Sequence, residues 1–179
     1  MGGAIGGGFD LTNHFGKPVT EGDYEGRFAL IFFGFTHCKL VCPRALTRIS
    51  AALDILGDRA RTIQPLYVTV DPERDTPEVM RAFLEARWPR FIGLTGRREQ
   101  IGAMRSAFRV FATKVAGPDD REGYDMPHSS LTYLMDPGFR YRAHYPDTVD
   151  ETRLAEALRR EITKPEDDCA ASITEGDGS

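Results

Sequence analysis

The sequence predicts an α/β fold, a central mixed sheet flanked by helices with an N-terminal β-hairpin extension. Three observations carry this. Apolar runs at 30–35, 63–70 and 91–94 read as buried strands. Stretches with helical spacing separate them. A strand pair around Asp136-Pro137-Gly138 then precedes a last amphipathic stretch.

Composition narrows the function classes. The chain has 179 residues, enough for a sizeable core, and its formal net charge is −4. Charges of both signs are interspersed, and no basic block suggests a nucleic-acid partner. No run approaches the roughly eighteen apolar residues of a membrane span, so a membrane would be reached only through an anchor upstream of this sequence. Three cysteines do not make a disulfide-dense scaffold. Residues 1–8 are glycine-rich and are expected to be flexible. Residues 9–163 are expected to form one domain, and 164–179, acidic with Ser and Gly, a disordered tail holding Cys169.

The elements follow in order. Residues 9–19 predict a small hairpin with Gly16 near its turn, and 23–27 a polar connection. The strand at 30–35 runs into Thr36-His37-Cys38-Lys39-Leu40-Val41-Cys42-Pro43. Pro43 suits the first position of a helix. That helix is marked by Ala45, Leu46, Ile49, Ala52, Leu53 and Leu56 and stopped by Gly57. Asp71-Pro72 ends the strand at 63–70, and Asp75 with Glu78 has capping-box spacing before Val79, Phe83 and Leu84. Ile101, Met104, Ala107 and Phe108 line one side of a helix over 99–110, and 117–123 is a polar loop. Strands at 130–135 and 139–145 form a hairpin. Thr148, three before Glu151, is expected to cap the final helix, with Leu154, Ala155 and Leu158 inward. This succession gives a thioredoxin-like α/β layer.

The chemistry concentrates in two places. Cys38 and Cys42 lie between the carboxyl end of a strand and the amino end of a helix, where partial positive charge favours thiolates. Two buried structural cysteines are the plainer alternative. His128, in Tyr124-Asp125-Met126-Pro127-His128-Ser129-Ser130, precedes the late hairpin. In a thioredoxin-like sheet that loop faces the cysteine turn. Two sulfurs and one nitrogen suit copper(I) and also accept copper(II). Alternatively His128 only hydrogen-bonds its loop. His14 and His144 are expected to be solvated, and His37 to be a neighbour of Cys38 rather than a ligand. Lys39 and the helix end are expected to depress the pKa of the nearer cysteine, taken as Cys42.

Four blocks resemble the Sco/SenC family of copper-binding, thioredoxin-fold proteins, and the likeness covers residues 9–162. They are Phe33-Gly34-Phe35-Thr36-His37-Cys38 through Cys42-Pro43; Val70-Asp71-Pro72-Glu73-Arg74-Asp75-Thr76; Gly93-Leu94-Thr95-Gly96; and His128-Ser129-Ser130 through Tyr133-Leu134-Met135-Asp136-Pro137. The resemblance implies a copper site of Cys38, Cys42 and His128. It implies delivery of copper, or of reducing equivalents, to the copper A centre of a haem–copper oxidase. Expected partners are the oxidase subunit carrying copper A, other copper chaperones and thioredoxin-like reductases. The expected location is the periplasmic side of a bacterial inner membrane or the mitochondrial intermembrane space, on an N-terminally anchored protein.

Two departures stand out. The family loop typically reads Cys-Pro-Asp-Val-Cys-Pro, where this chain has Lys39 and Leu40 in place of the proline and the acid. Met126-Pro127 stands where the family has Val-Asp before its histidine, and the Met126 thioether is a conceivable auxiliary copper contact. Asp71 matches the family's strand-end acid, or serves simply as a turn residue. Two alternatives stand beside copper delivery, the first of which needs no His128. One is a thiol–disulfide oxidoreductase using Cys38 and Cys42 as a redox pair. The other is a thiol peroxidase, which would need a Thr three residues before its reactive Cys, where Phe35 and Lys39 stand instead.

Overall fold

A computed structural model describes residues 3–116, 124–125 and 130–164. Its main sheet has seven strands. They are β1 (Asp10–Asn13), β2 (Pro18–Thr20), β3 (Phe28–Gly34), β4 (Ile63–Thr69), β5 (Ile92–Thr95), β8 (Leu131–Met135) and β9 (Tyr141–Pro146). Two short strands, β6 (Val115–Ala116) and β7 (Tyr124–Asp125), pair apart from it. The helices are α1 (Val41–Leu56), α2 (Pro77–Arg87), α3 (Arg98–Ala107) and α4 (Glu151–Thr163). Strand order is β2-β1-β5-β4-β3-β8-β9. The central β3, β4 and β5 are parallel, and β1 and β8 add antiparallel on either side, so the sheet is mixed as expected.

The central strands are buried on both faces, which is why they read as continuous apolar runs rather than alternating ones. Alternation along β3 sorts two cores. Ala29, Ile31 and Phe33 pack with Val68 and with Ile101, Met104 and Phe108 of the α3 region. Leu30 and Phe32 pack with Tyr67 and with α1, α2 and α4. Burying each large side chain stabilises the fold by roughly 1.5–3 kcal/mol relative to exposure. On α1, Ala45, Leu46, Ile49, Ala52 and Leu53 are fully buried, the stripe their spacing predicts. Gly57 ends the helix at φ +59°, where a Cβ would be strained.

Several details differ from expectation. The N-cap of α2 is Thr76, whose hydroxyl accepts from the Val79 N–H; Asp75 points into the core instead. Asp150, not Thr148, caps α4 and accepts from the Arg153 N–H. His14 is buried rather than solvated. Its Nδ1 accepts from the Gly93 N–H at 2.8 Å, tying the β1–β2 turn to β5, and burial lowers its pKa. His144 is exposed, as expected. The glycine-rich residues before β1 run against α3: the Gly6 N–H bonds the Ala107 carbonyl at 2.8 Å, and Ile5 packs on the core. No helix among the described residues is long and apolar enough to cross a membrane.

Candidate metal and redox site

The end of β3 and the start of α1 build the site. After Gly34 the chain turns through Phe35 and Thr36, and the Cys38 N–H bonds the Phe35 carbonyl at 3.1 Å. The helix begins at Val41, so Pro43 lies at its third position, two later than expected. Its N–H would have had no intrahelical partner there either, so the proline is still tolerated. No Ser, Thr, Asp or Asn caps α1; the residue at that position is Leu40, and the first turn carries no acid. The free N–H groups turn instead to sulfur. The Cys42 N–H lies 3.3 Å from the Cys38 Sγ.

The two sulfurs are unequal. Cys38 is half-buried and packs against both cores, whereas Cys42 is fully buried in the α1 layer. A hydrogen bond from the Cys42 thiol, then the N–H groups of Cys42, Leu40 and Val41, hold the Cys38 pKa down to about 5 against the opposing effect of burial. The Cys38 sulfur is thus charged at neutral pH. Donation to that sulfur, burial and its negative charge push the Cys42 thiol strongly up. This reverses the expectation that Cys42, by virtue of lying on the helix, would be the thiolate. Cys42 sits inside the first turn, while Cys38 sits over its N–H groups. Lys39 lies on the exposed side of the loop, and the leading causes of the shift are the Cys42 thiol and the backbone N–H groups.

A buried carboxylate braces the turn. Asp75 is fully buried, and its Oδ2 accepts from the Thr36 N–H at 3.0 Å and the Thr69 hydroxyl at 2.7 Å. Its Oδ1 accepts from the Thr36 hydroxyl at 2.5 Å. Burial raises the Asp75 pKa, and these hydrogen bonds oppose the rise. Asp71, also buried, pairs with Arg74 and so braces the loop after β4. In the sequence Asp75 reads as a helix cap. Its spacing from Thr69 and the β3 end was the available signal, but only the parallel register of Gly34 with Thr69 brings them together.

Tyr67 on β4 and Gly34 complete the pocket, and both were missed. A Cβ added to Gly34 would lie 2.7 Å from the Cys42 Sγ and from the Tyr67 hydroxyl, so glycine is what admits both. His37 is exposed, with its Nδ1 3.3 Å from the Thr36 hydroxyl, and remains a neighbour of the pair. His128, Met126, Pro127 and Cys169 lie outside the described residues. Among the described residues no group of three or more His, Cys, Asp and Glu is placed to hold a metal ion. The two sulfurs, one already charged and both at the sheet's end, are a soft donor pair suited to copper(I).

The model of the SCO1/SenC family matches residues 2–163. The chain belongs to that family. Within it, a SCO2-like protein of Rickettsia felis is 40% identical over 141 residues, covering 79% of this chain and 69% of the relative. The mitochondrial SCO2 homolog of Danio rerio is 36% identical over 159 residues, covering 87% of this chain and 56% of the relative. The crystal structure of Arabidopsis thaliana ScoI with copper bound superposes with a TM-score of 0.84 at 35% identity, covering 89% of this chain and 98% of that one. The thioredoxin-like fold is therefore the family's own.

Proposed function

We propose that the protein is a copper metallochaperone that carries one copper ion on Cys38, Cys42 and His128 for assembly of the copper A centre of a haem–copper oxidase. The observation that carries the reading is the paired sulfurs at the α1 N-terminus, with a thiolate at Cys38 under neutral conditions. Metal ligation by cysteine needs the thiolate, and here the Cys42 thiol together with the helix N–H groups supplies it at Cys38 before any metal arrives. Membership of a family with a copper-bound neighbour supports copper as the cargo. His128 as third ligand rests on its block, His128-Ser129-Ser130, and on the softness of a two-sulfur, one-nitrogen set. A single domain over 9–163, tethered upstream and working outside the cytosol, fits relatives such as the mitochondrial one.

One observation favours a second reading, a thiol–disulfide oxidoreductase. A half-exposed, low-pKa Cys38 beside a buried, protonated Cys42 is the division between attacking and resolving thiol that exchange requires. Titrating the reduced protein with copper(I) against a competing chelator separates the two. A chaperone loses affinity in His128→Ala, and an oxidoreductase keeps its exchange rate in the same variant.

A further inference from the structure

Tyr67 is a polar side chain in an apolar layer. It is wholly buried between Phe32 and Phe83, stacked with ring centroids 6.4 Å and 5.7 Å away. Among the described residues its hydroxyl meets no partner with hydrogen-bonding geometry. A buried phenol without a partner needs an explanation, because burial withdraws the water that would otherwise satisfy it. The group it faces is the Cys42 sulfur: the two interact as side-chain neighbours, and a single added Cβ on Gly34 would lie 2.7 Å from each. Phenylalanine would fill the same space between the same rings, so packing alone does not account for the oxygen.

We propose that Tyr67 is a positioning residue for Cys42, its O–H donating to the Cys42 sulfur whenever that sulfur carries negative charge. In the reduced pair the Cys42 thiol gives its proton toward Cys38, and the phenol beside the Cys42 sulfur is placed to serve as its donor. As charge builds on the Cys42 sulfur, through sharing within the reduced pair or through ligation of a metal, the phenol gains that acceptor. A disulfide sulfur, which carries no charge, offers it little. Tyr67 therefore favours the reduced, metal-ready pair over the oxidised one. The inference rests on the reading of Cys38 and Cys42 as the working pair.

The test is Tyr67→Phe, with Tyr145→Phe as control. Among the described residues Tyr145 is a second buried phenol whose hydroxyl meets no hydrogen-bond partner, carried on β9, two strands from β3. Each protein is equilibrated with a small dithiol and its disulfide at set ratios. Reduction breaks the Cys38–Cys42 bond with two electrons. The dithiol closes to its own disulfide and gives up two protons, one kept by Cys42 and one released to water. Losing one hydrogen bond to the pair should lower the reduction constant about fivefold, making the potential about 20 mV more negative. Tyr145→Phe should leave the potential at the wild-type value. A lower melting temperature for Tyr67→Phe with an unchanged potential means that the phenol is merely structural, and overturns the inference alone. A wild-type protein that neither forms the disulfide nor binds copper(I) overturns the functional reading and the inference with it.

Discussion

Replacing Cys42 by alanine should raise the pKa of Cys38, and the structure sets the size of the change. The Cys42 thiol is the largest single reason why Cys38 titrates near 5. A hydrogen bond to a charged acceptor is worth about 1.5–3 kcal/mol, and about 1.4 kcal/mol corresponds to one pKa unit. Cys42→Ala should therefore move the Cys38 midpoint from about 5 to between about 6 and 7. The N–H groups of Leu40, Val41 and residue 42 survive the substitution and keep it below the ordinary thiol range. The assay is the pH dependence of alkylation rate, or of thiolate ultraviolet absorbance, with Cys169→Ser in both proteins to silence the tail thiol. By linkage, the stability that Cys38 contributes is complete above the ordinary thiol pKa and is lost as pH falls through about 5. Acid should accordingly destabilise the reduced wild-type protein across that window more than the variant. A midpoint that stays near 5 in Cys42→Ala would show that the backbone alone makes the thiolate. A wild-type profile in which Cys42 reacts first would refute the asymmetry altogether.

Three further outcomes are expected. Asp75→Ala removes the acceptor for the Thr36 N–H and for the hydroxyls of Thr36 and Thr69. It should cost about 3 kcal/mol, read as a lower denaturant midpoint at unchanged slope; a loss under about 1 kcal/mol would mean that water replaces the carboxylate. Gly34→Ala drives a methyl to 2.7 Å from the Cys42 sulfur and the Tyr67 ring, which should destabilise the protein by about 1–3 kcal/mol; wild-type stability would contradict the tight approach. Lys39→Asp should shift the Cys38 midpoint by less than about 0.5, since an exposed charge is screened; a shift of a full unit in the alkylation profile would restore the lysine to the electrostatics of the site.

The strand–loop–helix frame was legible because its signals are local and redundant. Phe32 and Phe33 lie in an apolar run that only a two-sided buried strand accommodates, and the α1 stripe keeps helical period from Ala45 to Leu56. The identity of the thiolate was not legible, because it depends on where α1 begins. A start at Val41 instead of Pro43 puts Cys42 inside the first turn and leaves Cys38 over the N–H groups. Asp75 and Thr76 illustrate a similar ambiguity: both residue types cap helices, and the tertiary demand of Thr36 and Thr69 decides which one turns inward. His14 was misjudged because its acceptor role is to a β5 amide 79 residues away, beyond any local pattern. The two-residue β6 and β7 are too short to show periodicity. Tyr67 follows Leu66 and precedes Val68 in a run that reads as core, and only the space above Gly34 reveals what its hydroxyl faces.

The central claim is that the Cys38 thiolate and the neighbouring Cys42 sulfur, completed by His128, hold one copper ion. Its most direct test is competitive copper(I) titration of the fully reduced protein beside Cys42→Ser, His128→Ala and Cys169→Ser. The account predicts one tightly bound copper per wild-type chain, loss of tight binding in Cys42→Ser, weaker binding in His128→Ala and wild-type binding in Cys169→Ser. Wild-type affinity in Cys42→Ser, or losses of equal size in Cys42→Ser and Cys169→Ser, would contradict it.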